Sequence, residues 1–177
     1  INVYGFNPRY SRVEHQMETL RHETGHNLES LADVHDRSYG TAWAKAADAD
    51  AVTAAKVADL RWTEARAVGG AKVEPGRDWP KGVTDYGRSS HTEDYAESVM
   101  LYQLGPIATG KMAGETAERV LYFRDLYPRR AALLDKLMPE VAKAQKAEIA
   151  ALRAAASGDL SKLKVADLRA LAKTRGI

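Results

Sequence analysis

Cysteine is absent from all 177 residues, which excludes a disulfide framework and any thiolate metal site. A metal ion here must be held by His, Asp or Glu. No apolar run approaches the ~18 residues that a membrane-spanning helix needs, so no membrane partner is expected. The chain does not open on a basic segment followed by an apolar one, as a secretory leader would. Excess charge is also lacking. The 26 Lys and Arg against 24 Asp and Glu leave +2, too little for a protein that coats nucleic acid with its whole surface. The first residue is Ile1 rather than Met, from which we expect a processed product or a piece of a longer chain. What is present is ordinary for a water-exposed globular protein: 45% hydrophobic and 28% charged residues, in a length that supports one domain with its own core and a small appendage.

Ala, Leu, Lys, Arg and Glu dominate, and they favour helices. Residues 1–8 alternate roughly at Ile1, Val3 and Tyr4 and suggest a short edge strand. Ser11 with Glu14 three residues on makes a capping box, so a helix is expected from there to about Asp36, closed by Tyr39-Gly40. Its apolar stripe would be Val13, Met17, Leu20, Leu28, Leu31 and Val34. A second helical pattern covers 41–68. Residues 69–90 hold five Gly and two Pro and are expected as a long loop. A third helix should run from Ser90 or His91 to Leu104, stopped by Gly105-Pro106. A turn at 109–114, a helix over 115–126 and a last long helix from Tyr127-Pro128 to Ala156, kinked at Pro139, complete the pattern.

The first helix contains His22-Glu23-Thr24-Gly25-His26, an HExxH pattern. Positions i and i+4 lie one above the other on a helix face, so both imidazoles can meet one tetrahedral ion. Glu23 beside them can take a proton from water that the ion has acidified. The plain alternative is a pair of packed or surface histidines. A catalytic zinc needs a third protein ligand. A third His six residues after His26 is absent, since that position is Ala32, and Glu29 stands where the accompanying Gly belongs. The stretch Glu93-Asp94-Tyr95-Ala96-Glu97 offers two carboxylates at i and i+4 instead. One can bind the ion while the other accepts the free N–H of a ligating imidazole. Their plain alternative is a solvated acidic face. His91 and Asp94 lie on other faces of that helix and are weaker ligand candidates. His15 and His35 are expected at the surface, and Trp43, Trp62 and Trp79 in the core or against a partner.

These two anchors together resemble the anthrax lethal factor-like family of zinc metallopeptidases, gluzincins whose third ligand is a glutamate. The first anchor is His22 to His26. The second reads Tyr86-Gly87-Arg88-Ser89-Ser90-His91-Thr92-Glu93-Asp94-Tyr95-Ala96-Glu97, with the tyrosine seven residues ahead of the ligand glutamate as in the family. The resemblance covers roughly residues 12–138. It implies that His22, His26 and Glu93 hold one Zn2+ per chain and that Glu23 is the general base. It further implies that Tyr86 donates to the oxyanion of a tetrahedral intermediate and that Glu97 orients His22. Zincin folds place a small sheet ahead of the active-site helix, whose edge pairs with extended substrate. Only residues 1–10 are available for it in that place.

The last residues, from Asp159, resemble the first half of a SAP-type or Rho-N-terminal-like helical motif. From Leu160 onward, Lys162, Lys164, Arg169, Lys173 and Arg175 stand against one acid, Asp167, so this tail could contact nucleic acid or a partner protein. It could equally dock on its own domain. Such modules appended to peptidase or toxin domains are familiar in bacteriophage and bacterial secreted proteins, so a virion-associated or secreted setting is compatible with the resemblance. The compartment itself is open.

The expectation is therefore a mainly α-helical, zincin-like core with at most a minimal β edge, followed by a long C-terminal helix and a short helical tail. Residues 1–138 would form the metallopeptidase domain, 139–158 a helical linker and 159–177 the basic partial motif. The expected function is zinc-dependent hydrolysis of peptide bonds in a polypeptide substrate. The rival is a non-catalytic structural or virion-assembly module whose tail binds nucleic acid or a partner. Gly25 is expected to pack closely beneath the third-ligand helix, because a side chain there would separate the two helices.

Overall fold

The computed structural model describes residues 12–62, 79 and 81–156. The fold is mainly helical, with a small three-stranded antiparallel sheet. It divides into two units, 1–137 and 138–177. The expected strand over 1–8 and the basic motif over 159–177 lie outside the described residues.

Helix α1 runs Arg12–His35 and α2 runs Tyr39–Ala54. Tyr39 and Gly40 therefore open α2 rather than close α1. Between the two helices Asp36 accepts hydrogen bonds from the Ser38 amide and hydroxyl, at 2.9 and 2.6 Å. Such a side-chain turn gives the backbone an alternative to continued helix. Where the structure describes it, the expected apolar stripe of α1 is not its buried face, with Leu28 only half-buried and the side chains of Val13 and Val34 outside the described residues. Met17, Leu20 and Leu31 are exposed, whereas His22, Gly25, Glu29 and Ala32 are buried. These four share one helix face by their spacing. On α2 the buried face is Tyr39, Trp43, Ala46, Ala47 and Asp50.

The second helical pattern stops well short of residue 68. Strand β1 follows at Ala58–Trp62 and pairs antiparallel with β2, Ala108–Lys111, which pairs with β3, Arg119–Leu121. The register slips between Ala58 and Arg61, where Asp59 takes a φ of 54°. Asp tolerates that left-handed conformation better than most residues, and it marks a bulge. The sheet thus draws on segments expected as helix and turn, and it exceeds the minimal edge expected over 1–10. Its strands are only 5, 4 and 3 residues long. Runs so short show no period that separates strand from helix.

Helix α3, His91–Gln103, is the centre of the larger unit. Ser90 caps it, its side chain accepting from the Glu93 amide at 3.1 Å, and Glu93 and Asp94 sit in the first turn where the helix dipole favours negative charge. Every residue from Asp94 to Tyr102 is buried, so the helix is covered all round. Helix α4, Phe123–Leu126, is a single turn, and α5 spans Pro128–Leu137. The core gathers Trp43, Tyr95, Val99, Leu101, Tyr102, Ile107, Leu121, Phe123, Leu126 and Leu134. The long last helix is in fact two, with α6 starting afresh at Pro139–Ala156. Proline at the first helical position forfeits only an amide that would be unpaired there in any case. Among the described residues no helix is long and apolar enough to cross a membrane.

One charged cluster ties α2, α3 and α5 together. Arg130 is fully buried and lies between two fully buried carboxylates. Asp50 accepts from the Arg129 and Arg130 amides, both at 2.9 Å, and so caps α5 from another element. Asp94 accepts from Arg130 Nη1 at 2.8 Å, Trp43 Nε1 at 3.0 Å and the Val83 amide at 2.9 Å.

Candidate metal centre

Helices α1 and α3 pack antiparallel, as successive pairs show: His22 against Glu97, Gly25 against Ala96, His26 against Glu93, Glu29 against His91. The approach is close because Gly25 has no side chain. A Cβ built there would lie 2.5 Å from Ala96 Cα, well inside van der Waals contact. The expectation for Gly25 agrees with this geometry.

That approach brings His22, His26 and Glu93 to one point. His22 Nε2 lies 3.1 Å from Glu93 Oε2 and 3.2 Å from His26 Nε2, and His26 Nε2 lies 3.5 Å from Glu93 Oε2. Ligands about 2.05 Å from a tetrahedral ion are about 3.3 Å from one another. The three observed separations bracket that edge. The donor set, two imidazole nitrogens and one carboxylate oxygen, suits zinc.

The hydrogen bonds leave this point electron-rich. His22 Nδ1 donates to Glu97 Oε1 at 2.9 Å, since a carboxylate can only accept. In neutral His22, Nε2 is then a bare lone pair aimed at Glu93. Glu93 Oε2 is itself buried and accepts no hydrogen bond. A buried oxygen facing ring nitrogens without a proton between them is costly unless a cation or proton joins them. The acidity of His22 reflects this. Burial pushes its pKa down, but the hydrogen bond to Glu97 and the charges of Glu97, Glu93 and Glu23 outweigh burial and hold it above the usual histidine value.

Tyr86 lies over the cluster, its ring 5.7 Å from the His22 ring. Burial, then the charge of Glu93 and a hydrogen bond to it, raise the tyrosine pKa. The hydroxyl therefore stays protonated and able to donate at neutral pH. Tyr86 opens a 3-10 turn at Gly87–Ser89. The expected loop here is tightly folded over its described part. A Cβ on Gly82 would meet the Gly87 carbonyl carbon and the Arg88 amide nitrogen at 2.4 Å, so only glycine permits that backbone crossing. Glu23 is exposed at the rim. Its charge reaches both His22 and Tyr86.

The weaker ligand candidates are engaged elsewhere. Asp94 is taken by Arg130, Trp43 and Val83, and His91 Nδ1 pairs with Glu29 at 3.0 Å. Trp43 is a core residue and Trp79 stands edge-on to His91, while Trp62 is half-buried at the end of β1. The side chains of His15 and His35, and Lys162, Lys164, Arg169, Lys173 and Arg175, lie outside the described residues. Sequence reasoning missed Glu29 and Thr84. Glu29 was findable, because it continues the face of His22 and His26 by one more turn. Thr84 carries no such signal. It donates to Glu97 Oε2 at 2.7 Å across 13 residues.

Comparison with protein-family models, curated proteins and solved structures finds no match to this chain.

Proposed function

We propose that the chain is a zinc-dependent endopeptidase with a zincin-like active site, acting on a polypeptide substrate. The observation that carries this reading is the convergence of His22 Nε2, His26 Nε2 and Glu93 Oε2 at the edge lengths of a zinc tetrahedron, with Glu93 Oε2 left without a hydrogen bond. Zinc held by those three atoms supplies Lewis-acid polarisation of a scissile carbonyl and a water with a pKa near neutrality.

The remaining chemistry belongs to the chain's own groups. Glu23, exposed at the rim, takes the proton of the attacking water and delivers it to the leaving amine. The Tyr86 hydroxyl, protonated at neutral pH, donates to the oxygen of the scissile carbonyl as charge develops there. Glu97 fixes the tautomer and ring orientation of His22 through its Nδ1–H.

The test pairs metal content with turnover. One zinc per chain is expected in the wild type and in Glu23→Gln, and is lost in His22→Ala and Glu93→Ala. Cleavage of a denatured protein should fall by a factor of about 10² to 10⁴ in Glu23→Gln, since that is what a positioned general base contributes. A wild-type chain that takes up no zinc at neutral pH after supplementation would overturn the reading.

A further inference from the structure

We infer that Thr84 is a positioning residue for the metal centre, one that couples the turn carrying Tyr86 to the imidazole of His22. The inference rests on the metal-site reading above and names a part of that site which the sequence gives no reason to choose. Its basis is a continuous chain of hydrogen bonds. The Gly87 amide donates to Thr84 Oγ1 at 2.9 Å, Thr84 Oγ1 donates to Glu97 Oε2 at 2.7 Å, and the other oxygen of that carboxylate accepts from His22 Nδ1 at 2.9 Å.

Each link has one workable direction. An amide can only donate and a carboxylate can only accept, so the single hydroxyl proton of Thr84 must point at Glu97. The hydroxyl thereby occupies Oε2 and leaves Oε1 aimed at His22. Without it, Oε2 of the buried Glu97 carboxylate loses this donor, and the carboxylate can turn to share its oxygens differently. The His22 ring, set by its Nδ1–H bond, would follow.

The same residue shapes the turn. The Arg88 amide donates to the Thr84 carbonyl at 3.1 Å, so side chain and main chain of Thr84 both close the loop around Tyr86. Gly87 is held tightly there, since a Cβ on it would sit 3.2 Å from Asp94 Cα and 3.2 Å from Thr84 Oγ1. Thr84 is thus the point where the tyrosine turn and the hydrogen-bond support of His22 meet.

The test compares zinc affinity of wild type, Thr84→Val and Thr84→Ser by competition with a chromophoric chelator, with melting of the metal-free proteins measured in parallel. Val keeps the volume and removes the hydroxyl, and Ser restores it. Thr84→Val is expected to bind zinc about tenfold more weakly, at the low end for a residue supporting a ligand, and Thr84→Ser to return close to wild type. A purely structural threonine would lower the melting temperature of Thr84→Val and leave its zinc affinity unchanged; that result overturns the inference. So does a Thr84→Ser as weak as Thr84→Val. A wild-type chain that binds no zinc overturns the metal-site reading itself, a separate and recognisable outcome.

Discussion

Replacing Gly25 by alanine sets two opposing effects against each other in one position. In a helix interior the change should stabilise by about 1 kcal/mol, because glycine is a poor helix former. At this site the new methyl would stand 2.5 Å from Ala96 Cα, 3.1 Å from Ala96 Cβ and 3.1 Å from the Ala96 carbonyl oxygen. Carbon atoms rest at about 3.5 Å or more, so α1 and α3 must part by about 1 Å. Overpacking of this kind costs about 1–3 kcal/mol, and the upper part of that range applies because the obstacle is backbone that cannot rotate away. The net expectation is a loss of about 1–2 kcal/mol, a fall in melting temperature of roughly 2–8 °C for a chain of this size. Metal binding by the proposed His22–His26–Glu93 site should suffer more than stability. Opening the interface by about 1 Å stretches His–Glu93 separations of 3.1 and 3.5 Å beyond what one ion at about 2.05 Å can bridge, and zinc affinity should fall at least about tenfold. Thermal melts and chelator competition on Gly25→Ala measure both. The double variant Gly25→Ala/Ala96→Gly sharpens the test. The nearest obstacle is a Cα that glycine retains, so the second change should not rescue the first. A Gly25→Ala protein that melts above wild type and binds zinc unchanged would refute the close approach, and rescue by Ala96→Gly would refute its backbone origin.

Other expectations follow from the buried charges and the turns. Arg130→Met leaves Asp50 and Asp94 buried without their cation and should cost about 3–5 kcal/mol in urea unfolding; a loss under about 1 kcal/mol would show that the two carboxylates are satisfied by their other donors. Adding EDTA to the zinc-loaded protein should lower its melting temperature, and zinc at 100 times its Kd should restore about 2.7 kcal/mol; equal melts with and without metal would show that the folded cluster binds none. Asp36 has its pKa lowered by the Ser38 hydroxyl and amide, so its contribution is present above the ordinary carboxylate value and is lost as pH falls through the lower folded value. Asp36→Asn should flatten the acid limb of a melting-temperature profile below the ordinary carboxylate range, and a profile parallel to wild type would count against the turn.

What could be read from the chain follows from the distance over which each feature is determined. The helix bearing His22 and His26 and the capped helix bearing Glu93 and Glu97 are each written within a short run of neighbouring residues, whereas the need for glycine at position 25 comes from Ala96 on the other helix. The sheet is not, because β1 finds its partner about 50 residues away and its five residues have no decisive period. Nor is the Asp50–Arg130–Asp94 cluster, whose members meet across 80 and 36 residues. The division of the expected last helix at Pro139 was half legible, since proline at an interior position and proline at a fresh start look alike in a string of letters.

The sharpest discrepancy is the orientation of α1, and it is informative. Apolar periodicity assigns Met17, Leu20 and Leu31 to the core, yet they are 41%, 59% and 55% exposed while His22 and Glu29 are 5% and 8% exposed. Burial here follows the partner helix. Across from α1 stand Glu93, Glu97 and His91, and each polar side chain turned inward meets one of opposite character. A helix selected for stability alone would turn the other way, gaining apolar burial of about 1.5–3 kcal/mol for each large side chain covered and avoiding the desolvation of two ionisable groups. Conflicts of this kind between local pattern and burial are expected at functional or strained positions. In α1 the conflict falls on the residues that surround the candidate metal position, so the sequence feature most at odds with the fold and the geometry best suited to zinc are the same four turns of helix.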